Sequence, residues 1–274
     1  MSALKEVTRD CLPPALVRWL RHVRGAGIRY DGDFATWEDA SARCTGYDAD
    51  PILGKVLAAT LKVKRGEAAF ERDSVLFAEI EYTWTVLTGL MWAAARSGGR
   101  LNVLDFGGAL GSSYFQNRRF LEPLPEVRWN VVEQAHYVEA GRAQIQDEHL
   151  RFYKSIDECL SENQPNVVLL SSVMQYLGSY EEIIEKLSKV GALCLLIDRT
   201  PFSLSAKDQL VVQKVPAEIY SASYPMWIFS HSKFVQLIER NWSLVASSLS
   251  PEGYVRTTDG NDFSFQGMLL EARP

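Results

Sequence analysis

The chain has few cysteines, and none of them are paired at a spacing used for metal binding or redox chemistry. Its four cysteines, Cys11, Cys44, Cys159 and Cys194, are scattered over 274 residues. This distribution argues against a disulfide framework and against a cysteine zinc site. No histidine or acid cluster has metal-ligand spacing either, so we expect no metal and a location in the reducing cytoplasm.

Long hydrophobic runs and an excess of positive charge are also lacking. The most apolar long segment, 83–95, is too short to span a bilayer, and no apolar core follows the charged N-terminus as in a signal peptide. The formal net charge is -5, so nucleic acid is not expected as a partner. The composition, 47% hydrophobic and 23% charged, is that of a globular protein with a sizeable core.

A break at residues 97–100, Ser-Gly-Gly-Arg, separates two parts of different character. Residues 1–97 show helical periodicity and predict a helical N-terminal extension that caps the rest, with one long helix over about 67–96. Three arginines within 18–24 share one helical face. That face could contact an anionic membrane surface, and a solvated helix face is the alternative interpretation.

Residues 98–274 alternate between strand and helix patterns, which predicts an α/β fold with a Rossmann-like, doubly wound and mostly parallel sheet. The predicted parallel strands are continuously apolar, as expected for strands covered on both faces. They are 101–106, 129–133, 150–153, 166–171 and 192–198. Two further strands, 243–248 and 263–271, predict an antiparallel pair that closes the sheet.

The first of these strands leads into a turn of small residues, Asp105-Phe106-Gly107-Gly108-Ala109-Leu110-Gly111. In an open parallel sheet, ligands bind beyond the carboxyl ends of the strands, near the point where strand order reverses. Glycines allow the backbone to approach a ligand closely. Glu133 ends the second strand, roughly 20 residues after the last glycine, where a carboxylate can bind both hydroxyls of a ribose. The pattern therefore predicts a nucleoside-type cofactor.

The details of the turn favour one cofactor over the others. The dinucleotide fingerprint GxGxxG is poorly matched, because its glycine positions hold Gly107, Ala109 and Ser112. No GK[ST] sequence follows, which excludes a P-loop. Asp105 at the head of the turn suits an ammonium group and disfavours a pyrophosphate. S-adenosylmethionine is therefore the predicted cofactor, and a nicotinamide cofactor or a purely structural glycine turn are the alternatives.

The residues 105–114, followed by 129–134, resemble the class I S-adenosylmethionine-dependent methyltransferases. Shorter motifs extend the resemblance to a poorly characterised bacterial group of methyltransferases linked to surface-polysaccharide genes. These motifs are Tyr47-Asp48, Glu71-Arg72-Asp73-Ser74, Ser171-Ser172-Val173-Met174-Gln175-Tyr176-Leu177, Ile197-Asp198-Arg199-Thr200-Pro201-Phe202 and Ser223-Tyr224-Pro225-Met226-Trp227. The resemblance implies methyl transfer to a glycan or another small molecule, and a role in polysaccharide biosynthesis.

The resemblance also implies a set of cofactor contacts, with Asp105 and Gly107 at the methionine end and Glu133 at the ribose. Ala109 departs from the glycine that is usual in the family, and the acid usual after the third strand is absent at 154–156. Ser155 and Ile156 are the predicted adenine contacts. The full predicted cofactor set is Asp105, Gly107, Gly108, Gly111, Glu133, Gln134, Ser155, Ile156, Ser171 and Ser172.

The acceptor half of the site is expected at the ends of the fourth and fifth strands and beyond. Methyl transfer needs the acceptor in line with the methyl group, and an alcohol acceptor also needs a proton acceptor. Asp198 is a candidate base with Arg199 as an anion ligand, or the two form a structural salt bridge. His231 is another candidate base, or a helix-start residue. The predicted substrate contacts are Gln175, Tyr176, Tyr224 and Trp227, the last two in an aromatic lid around Pro225 or in a plain packed loop.

Together these features predict an S-adenosylmethionine-dependent methyltransferase that acts on oxygen of a carbohydrate or other small acceptor. No base is unambiguous, so a catalytically inactive methyltransferase-like binding module stays an alternative. A nicotinamide-dependent oxidoreductase is the third hypothesis. The sequence contains no feature that determines the oligomeric state.

Overall fold

The computed structural model describes residues 27–45, 49–72, 74–216 and 222–273. The N-terminal helix with its basic face, expected within residues 18–24, lies outside the described residues. No helix in the described part of the chain is long and apolar enough to cross a membrane.

The first part of the chain mixes helices with short strands. Its elements are β1 (Arg29–Asp31), α1 (Trp37–Ser41), α2 (Ala49–Lys64), β2 (Phe70–Arg72), β3 (Val75–Phe77) and α3 (Trp84–Arg96). The single helix expected over 67–96 is wrong in its first half, where β2 and β3 form a hairpin. Gly66 and Ser74 both have positive φ, at 75° and 67°, and a helix cannot continue through such residues.

The second part alternates strands and helices, and the five predicted parallel strands are present. Its elements are β4 (Arg100–Phe106), α4 (Ser112–Leu121), β5 (Glu126–Val132), α5 (Ala135–Ala140) with a π-helical turn (Gly141–Ile145), β6 (Leu150–Tyr153), α6 (Ile156–Glu162), β7 (Val167–Ser171), a 3-10 turn (Met174–Tyr176), α7 (Tyr180–Ser188), β8 (Cys194–Ser203), β9 (Gln209–Val215), β10 (Ala222–Ser230), α8 (His231–Ile238), β11 (Trp242–Arg256) and β12 (Asp262–Ala272).

The sheet has the predicted doubly wound architecture. Strands β6, β5, β4, β7 and β8 are parallel neighbours in that order. The last strand, β12, runs antiparallel beside β8, and β11 pairs with its outer side. From β4 the chain proceeds to β5 and β6 on one side, and later to β7 and β8 on the other. Strand order therefore reverses between β4 and β7, which is where such a sheet binds ligands.

Both faces of the parallel strands are buried, which explains their continuously apolar sequences. One face, here called the front face, packs against α2, α3 and α4 and includes Val103, Leu169 and Leu196. The opposite face packs against α6, α7 and α8 and includes Leu104 and Val168. Because side chains alternate along a strand, Asp105 falls on the front face with Val103.

Strands β9 and β10 form an insertion that the sequence pattern did not reveal. They pair antiparallel, β1 adds to the outer side of β9, and β10 joins the end of β8 at Phe229 and Phe202. The expected lid loop around Pro225 is wrong, because this residue lies within β10. Proline is tolerated there since β10 pairs with β9 alone at that level, so the missing N–H breaks no ladder on the other side.

Candidate functional site

The glycine turn lies at the reversal point of the sheet, between the end of β4 at Phe106 and the start of α4 at Ser112. Gly107, Ala109 and Gly111 have positive φ values of 72°, 50° and 88°. Turns of this kind aim backbone N–H groups into a concavity that suits polar ligands. The left-handed conformation at Ala109 also explains why glycine is usual at this position in the family that the chain resembles.

Two glycines of the turn pack too closely for any side chain. A Cβ on Gly108 would lie 2.4 Å from Oδ2 of Asp105, and a Cβ on Gly107 would lie 2.4 Å from Cγ2 of Val173. The turn therefore rests on the Asp105 carboxylate on one side and on the segment after β7 on the other. Small residues here bring the ends of β4 and β7 together around one point.

Asp105 is a fully buried acid at the centre of this arrangement. Its Oδ2 accepts a hydrogen bond of 2.9 Å from the indole Nε1 of Trp129, and its Oδ1 is buried with no partner among the described residues. Burial raises the pKa of Asp105 to about 7, aided by the Glu133 charge and opposed by the Trp129 hydrogen bond and the Arg199 charge. A buried carboxylate oxygen without a donor fits a ligand that brings one, such as an ammonium group.

Glu133 connects the end of β5 to the same turn. Its carboxylate accepts hydrogen bonds from the backbone N–H groups of Gln134, at 2.6 Å, and of Ala109. Burial raises the pKa of Glu133, and these two backbone bonds oppose the shift. A carboxylate has about four lone-pair sites, so capacity remains for a pair of ligand hydroxyls. The adjacent His136, in the first turn of α5, has a buried Nε2 with no partner in the described structure.

Ser171, Asp198 and Arg199 form one hydrogen-bonded cluster at the ends of β7 and β8. Oδ2 of Asp198 accepts from Ser171 Oγ at 2.9 Å and from Arg199 Nε at 3.2 Å, and Arg199 Nη2 donates to Ser171 Oγ at 3.1 Å. The salt bridge considered from the sequence is thus present. It occupies only one carboxylate oxygen, and the buried Oδ1 of Asp198 has no partner among the residues described.

The backbone around this cluster is strained at two residues, and hydrogen bonds hold it in place. Ser172 and Arg199 have positive φ values of 56° and 47°, which cost non-glycine residues about 1–3 kcal/mol each and occur most often at functional sites. The Ser172 N–H donates to the Asp198 carbonyl at 2.9 Å. Gln175 is fully buried, and its Nε2 donates to Ser172 Oγ and to the Arg199 carbonyl, at 3.1 and 3.3 Å. Its Oε1 accepts no hydrogen bond within the described structure.

Two of the predicted aromatic substrate contacts meet beside this cluster. Tyr176 and Tyr224 pack edge to face, with ring centroids 5.2 Å apart. The Tyr176 hydroxyl donates to Oε1 of Gln213 at 3.0 Å, and Nε2 of Gln213 lies 3.4 Å from the Tyr224 hydroxyl. Gln213 on β9 and Tyr224 on β10 are register partners, so the insertion presents a polar and aromatic wall beyond the end of β7.

The structure separates Trp227 from that wall. It lies three residues after Tyr224 on β10 and so faces the other side of the strand. Its ring stacks on Trp37 of α1 at 6.1 Å, and its Nε1 donates to the Leu177 carbonyl at 3.1 Å. These contacts are those of a packing residue that attaches α1 to the insertion.

The remaining predicted residues lie at the same edge of the sheet with local roles of their own. The Ser155 hydroxyl caps α6 by accepting from the N–H of Glu158 at 3.0 Å, and Ile156 is buried in the core. His231 begins α8, and its ring packs edge to face on Phe202 at 5.6 Å. No three histidine, cysteine or acidic residues of the described chain are grouped as metal ligands.

Two contributors to the site were missed from the sequence. Trp129 lies on the front face of β5, and a period-two count along that strand would have placed it beside Asp105. Glu71 of β2 is buried, and its carboxylate accepts from Ser112 Oγ at the start of α4. Nothing in local spacing connects residues 71 and 112, because the tertiary fold alone brings the hairpin onto the glycine turn.

No protein-family model matches the sequence, and no curated protein matches it. Solved structures with a similar chain path include the N-terminal domain of EvdMO1, crystallised with S-adenosylhomocysteine and D-fucose, at 13% identity and TM-score 0.47 over 83% of this chain and 98% of that one. Another is the Burkholderia thailandensis 1,6-didemethyltoxoflavin-N1-methyltransferase with its substrate and S-adenosylhomocysteine, at 12% identity and TM-score 0.41 over 89% and 93%. A methyltransferase from Methanosarcina mazei matches at 10% identity and TM-score 0.44 over 63% and 92%.

Proposed function

We propose that the chain is an S-adenosylmethionine-dependent methyltransferase that methylates an oxygen of a carbohydrate or another small acceptor. The observation that carries this proposal is the buried Oδ1 of Asp105, which has no donor among the described residues and adjoins a glycine turn to which Glu133 is also bonded. An ammonium group can donate to Asp105, and the two hydroxyls of a ribose can donate to Glu133. A dinucleotide would bring its pyrophosphate beside Asp105, which favours S-adenosylmethionine over a nicotinamide cofactor.

The residues at the ends of β7 and β8 supply the acceptor chemistry in this proposal. When bound, S-adenosylmethionine supplies an electrophilic methyl group. Ser171 and Arg199 hold Oδ2 of Asp198, so Oδ1 is the oxygen that accepts a hydrogen bond, and then the proton, from the acceptor hydroxyl. Gln175 offers its Oε1 to a second hydroxyl, because its amide nitrogen is held by two protein oxygens.

We assign residues 98–274 to the methyltransferase domain and residues 1–97 to a cap that shapes its pocket. Contacts between the two parts support this division of roles. Glu71 reaches Ser112 beside the glycine turn, and Arg72 forms an ion pair with Glu252 of β11. The first part of the chain thus contacts both the start of α4, next to the glycine turn, and strand β11.

Calorimetric titration with S-adenosylmethionine and S-adenosylhomocysteine tests the proposal. Wild type should bind both, and Glu133→Gln should weaken binding roughly tenfold, because one ribose hydroxyl then meets an amide donor (about 1.4 kcal/mol). Glu139→Gln is the matched control, since Glu139 is an exposed acid of the neighbouring helix α5 that pairs with Lys154. Absence of binding by wild type, or tighter binding of a nicotinamide cofactor, would contradict the proposal.

A further inference from the structure

Strand β11 carries a bulge beside the proposed acceptor region. Its register with β12 shifts between the pair Leu249–Gln266 and the pair Tyr254–Ser264, so residues 250–253 stand opposite Phe265 alone. Gly253 has a positive φ of 67° and allows the strand to bend there. Bulges redirect side chains and are frequent next to active sites.

The bulge contains two polar groups that have no hydrogen-bond partner among the described residues. Ser250 is 4% exposed, and its Oγ has no partner in the described part of the chain. Oε1 of Glu252 accepts from Arg72 Nη1 at 2.7 Å, whereas its Oε2 is buried and unpartnered among the same residues. A carboxylate oxygen can only accept, so this pair suits a ligand that donates hydrogen bonds.

An aromatic cluster adjoins these groups. Tyr30 of β1 packs edge to face on Phe263 at 5.1 Å, and Phe263 packs on Phe265 at 5.6 Å. Burial raises the pKa of Tyr30, and the nearby charge of Glu252 raises it further, so the carboxylate lies near that ring. All three rings are buried, so they form a packed support behind the carboxylate, and the unsatisfied acceptors in front of it suit a molecule with several hydroxyl groups.

The bulge lies two strands away from β8, the strand that carries Asp198. Phe265 pairs with Pro201 of β8, three residues after Asp198, and β12 is the single strand between β8 and β11. Neighbouring strands are about 4.8 Å apart, so the bulge lies about 10 Å across the sheet from β8. Just before the bulge, the Ser248 hydroxyl contacts the Thr85 hydroxyl of α3, which covers the front face. Ser248, which leads into the bulge, thus lies on the same face of the sheet as Asp198, and an acceptor larger than one ring can span the distance between β8 and the bulge.

We propose that the β11 bulge is an acceptor subsite, in which Glu252 Oε2 and Ser250 Oγ bind hydroxyls of a polyhydroxylated ring remote from the methylated atom. This subsite rests on the proposed methyltransferase function. It assigns the acceptor to the carbohydrate class and makes Glu252 and Ser250 determinants of specificity rather than of chemistry.

Ligand-observed NMR with defined sugars, in the presence of S-adenosylhomocysteine, tests the subsite. The probes are lactose, maltose and the methyl glycosides of glucose, galactose and mannose. At least one should bind wild type, and Glu252→Gln should raise its dissociation constant about tenfold, equivalent to 1.4 kcal/mol. In this variant Arg72 still donates to the side-chain amide oxygen at position 252, so the amide nitrogen takes the place of Oε2. The nitrogen donates hydrogen bonds, and it therefore faces a ligand hydroxyl that also donates. Ser250→Ala, which removes only a hydroxyl, should weaken binding of the same sugar by a smaller factor.

Glu271→Gln is the matched control, because Glu271 is also an arginine-paired glutamate of the sheet, bound to Arg96 at the opposite edge. Its sugar affinity should equal that of wild type. Absence of sugar binding by a wild type that binds S-adenosylhomocysteine, or unchanged affinity in both bulge variants, would overturn the subsite. If wild type binds a sugar through Glu252 but does not bind S-adenosylhomocysteine, the subsite stands and the methyltransferase proposal fails.

Discussion

The indole of Trp129 donates a hydrogen bond of 2.9 Å to one oxygen of Asp105, and the other oxygen of that carboxylate is buried with no partner in the part of the chain that the structure describes. Both side chains are completely buried. The single bond does not offset the burial of the acid, so the pKa of Asp105 lies at about 7. Protonation of this one group therefore changes near neutral pH, at the point where the cofactor ammonium is proposed to bind.

Cofactor affinity should increase with pH across neutrality. An ammonium group binds ionised Asp105, so the apparent dissociation constant equals the intrinsic constant divided by the ionised fraction. With a pKa of about 7, we expect at least roughly tenfold tighter S-adenosylmethionine binding at about pH 8 than at about pH 5.5. Calorimetry at several pH values measures this, and Asp105→Asn should show weak binding with little pH dependence. An equally steep profile in Asp105→Asn would assign the titration to another group.

Folding stability without cofactor should change in the opposite direction. The folded-state pKa of Asp105 lies above that of an unfolded chain, so the folded protein retains a proton that the unfolded chain releases. This stabilising contribution is complete below about pH 4 and is lost as pH rises to about 7. The raised pKa of Glu133 acts in the same direction. Chemical denaturation from pH 5 to pH 8 should show the decline, and Asp105→Asn should show a shallower one.

Replacement of Trp129 should move both pH profiles upward. The indole hydrogen bond lowers the pKa of Asp105 against the effect of burial, so Trp129→Phe removes the donor and keeps most of the packed volume. We expect the midpoint of pH-dependent cofactor binding to rise, with a loss of roughly 1–3 kcal/mol in stability at pH 8 for the unsatisfied acid. A midpoint unchanged from wild type would show that the indole does not control this ionisation.

The contact between Trp129 and Asp105 separates what the sequence predicts from what it does not. The acid itself was predicted, and its partner was missed. The parallel strands, the glycine turn and the two acids were predictable, because buried parallel strands have continuous apolar runs and ligand sites follow their carboxyl ends. The partners of these acids come from positions far apart in the chain. Glu71 meets Ser112, and Arg72 meets Glu252, through tertiary packing that no local period encodes.

The insertion of β9 and β10 was missed for a different physical reason. Pro225 interrupts the strand pattern and indicates a loop, yet β10 has a free side at that residue, and the missing N–H costs no hydrogen bond there. The same misassignment placed Tyr224 and Trp227 together in one lid. In the strand they face opposite sides, so Tyr224 adjoins Tyr176 while Trp227 packs on Trp37.

A methyl group added to Gly108 should weaken cofactor binding. The new Cβ would lie 2.4 Å from Oδ2 of Asp105, so either the turn or the carboxylate must shift. We expect Gly108→Ala to lower S-adenosylmethionine affinity by at least roughly tenfold and to lower the melting temperature. Gly54→Ala is the control, because Gly54 lies in α2 with open space around it and alanine favours helix by about 0.5–1 kcal/mol. Normal affinity in Gly108→Ala would mean that the turn does not contact the cofactor.

Asp198 should matter for methyl transfer and little for cofactor binding. In Asp198→Asn the amide oxygen can still accept from Ser171 and Arg199, so the amide nitrogen replaces Oδ1 and can no longer take a proton. With any sugar that wild type methylates, we expect kcat to fall by about 10²–10⁴ while S-adenosylhomocysteine affinity stays within about twofold. Asp208→Asn is a matched control, since Asp208 is a mostly buried acid bonded to Lys233 and to the Ser230 N–H, on the other side of the insertion. Transfer of tritiated methyl groups measures both variants. An equal loss of kcat in the two would show that general damage to the fold, and not a missing proton acceptor, is responsible.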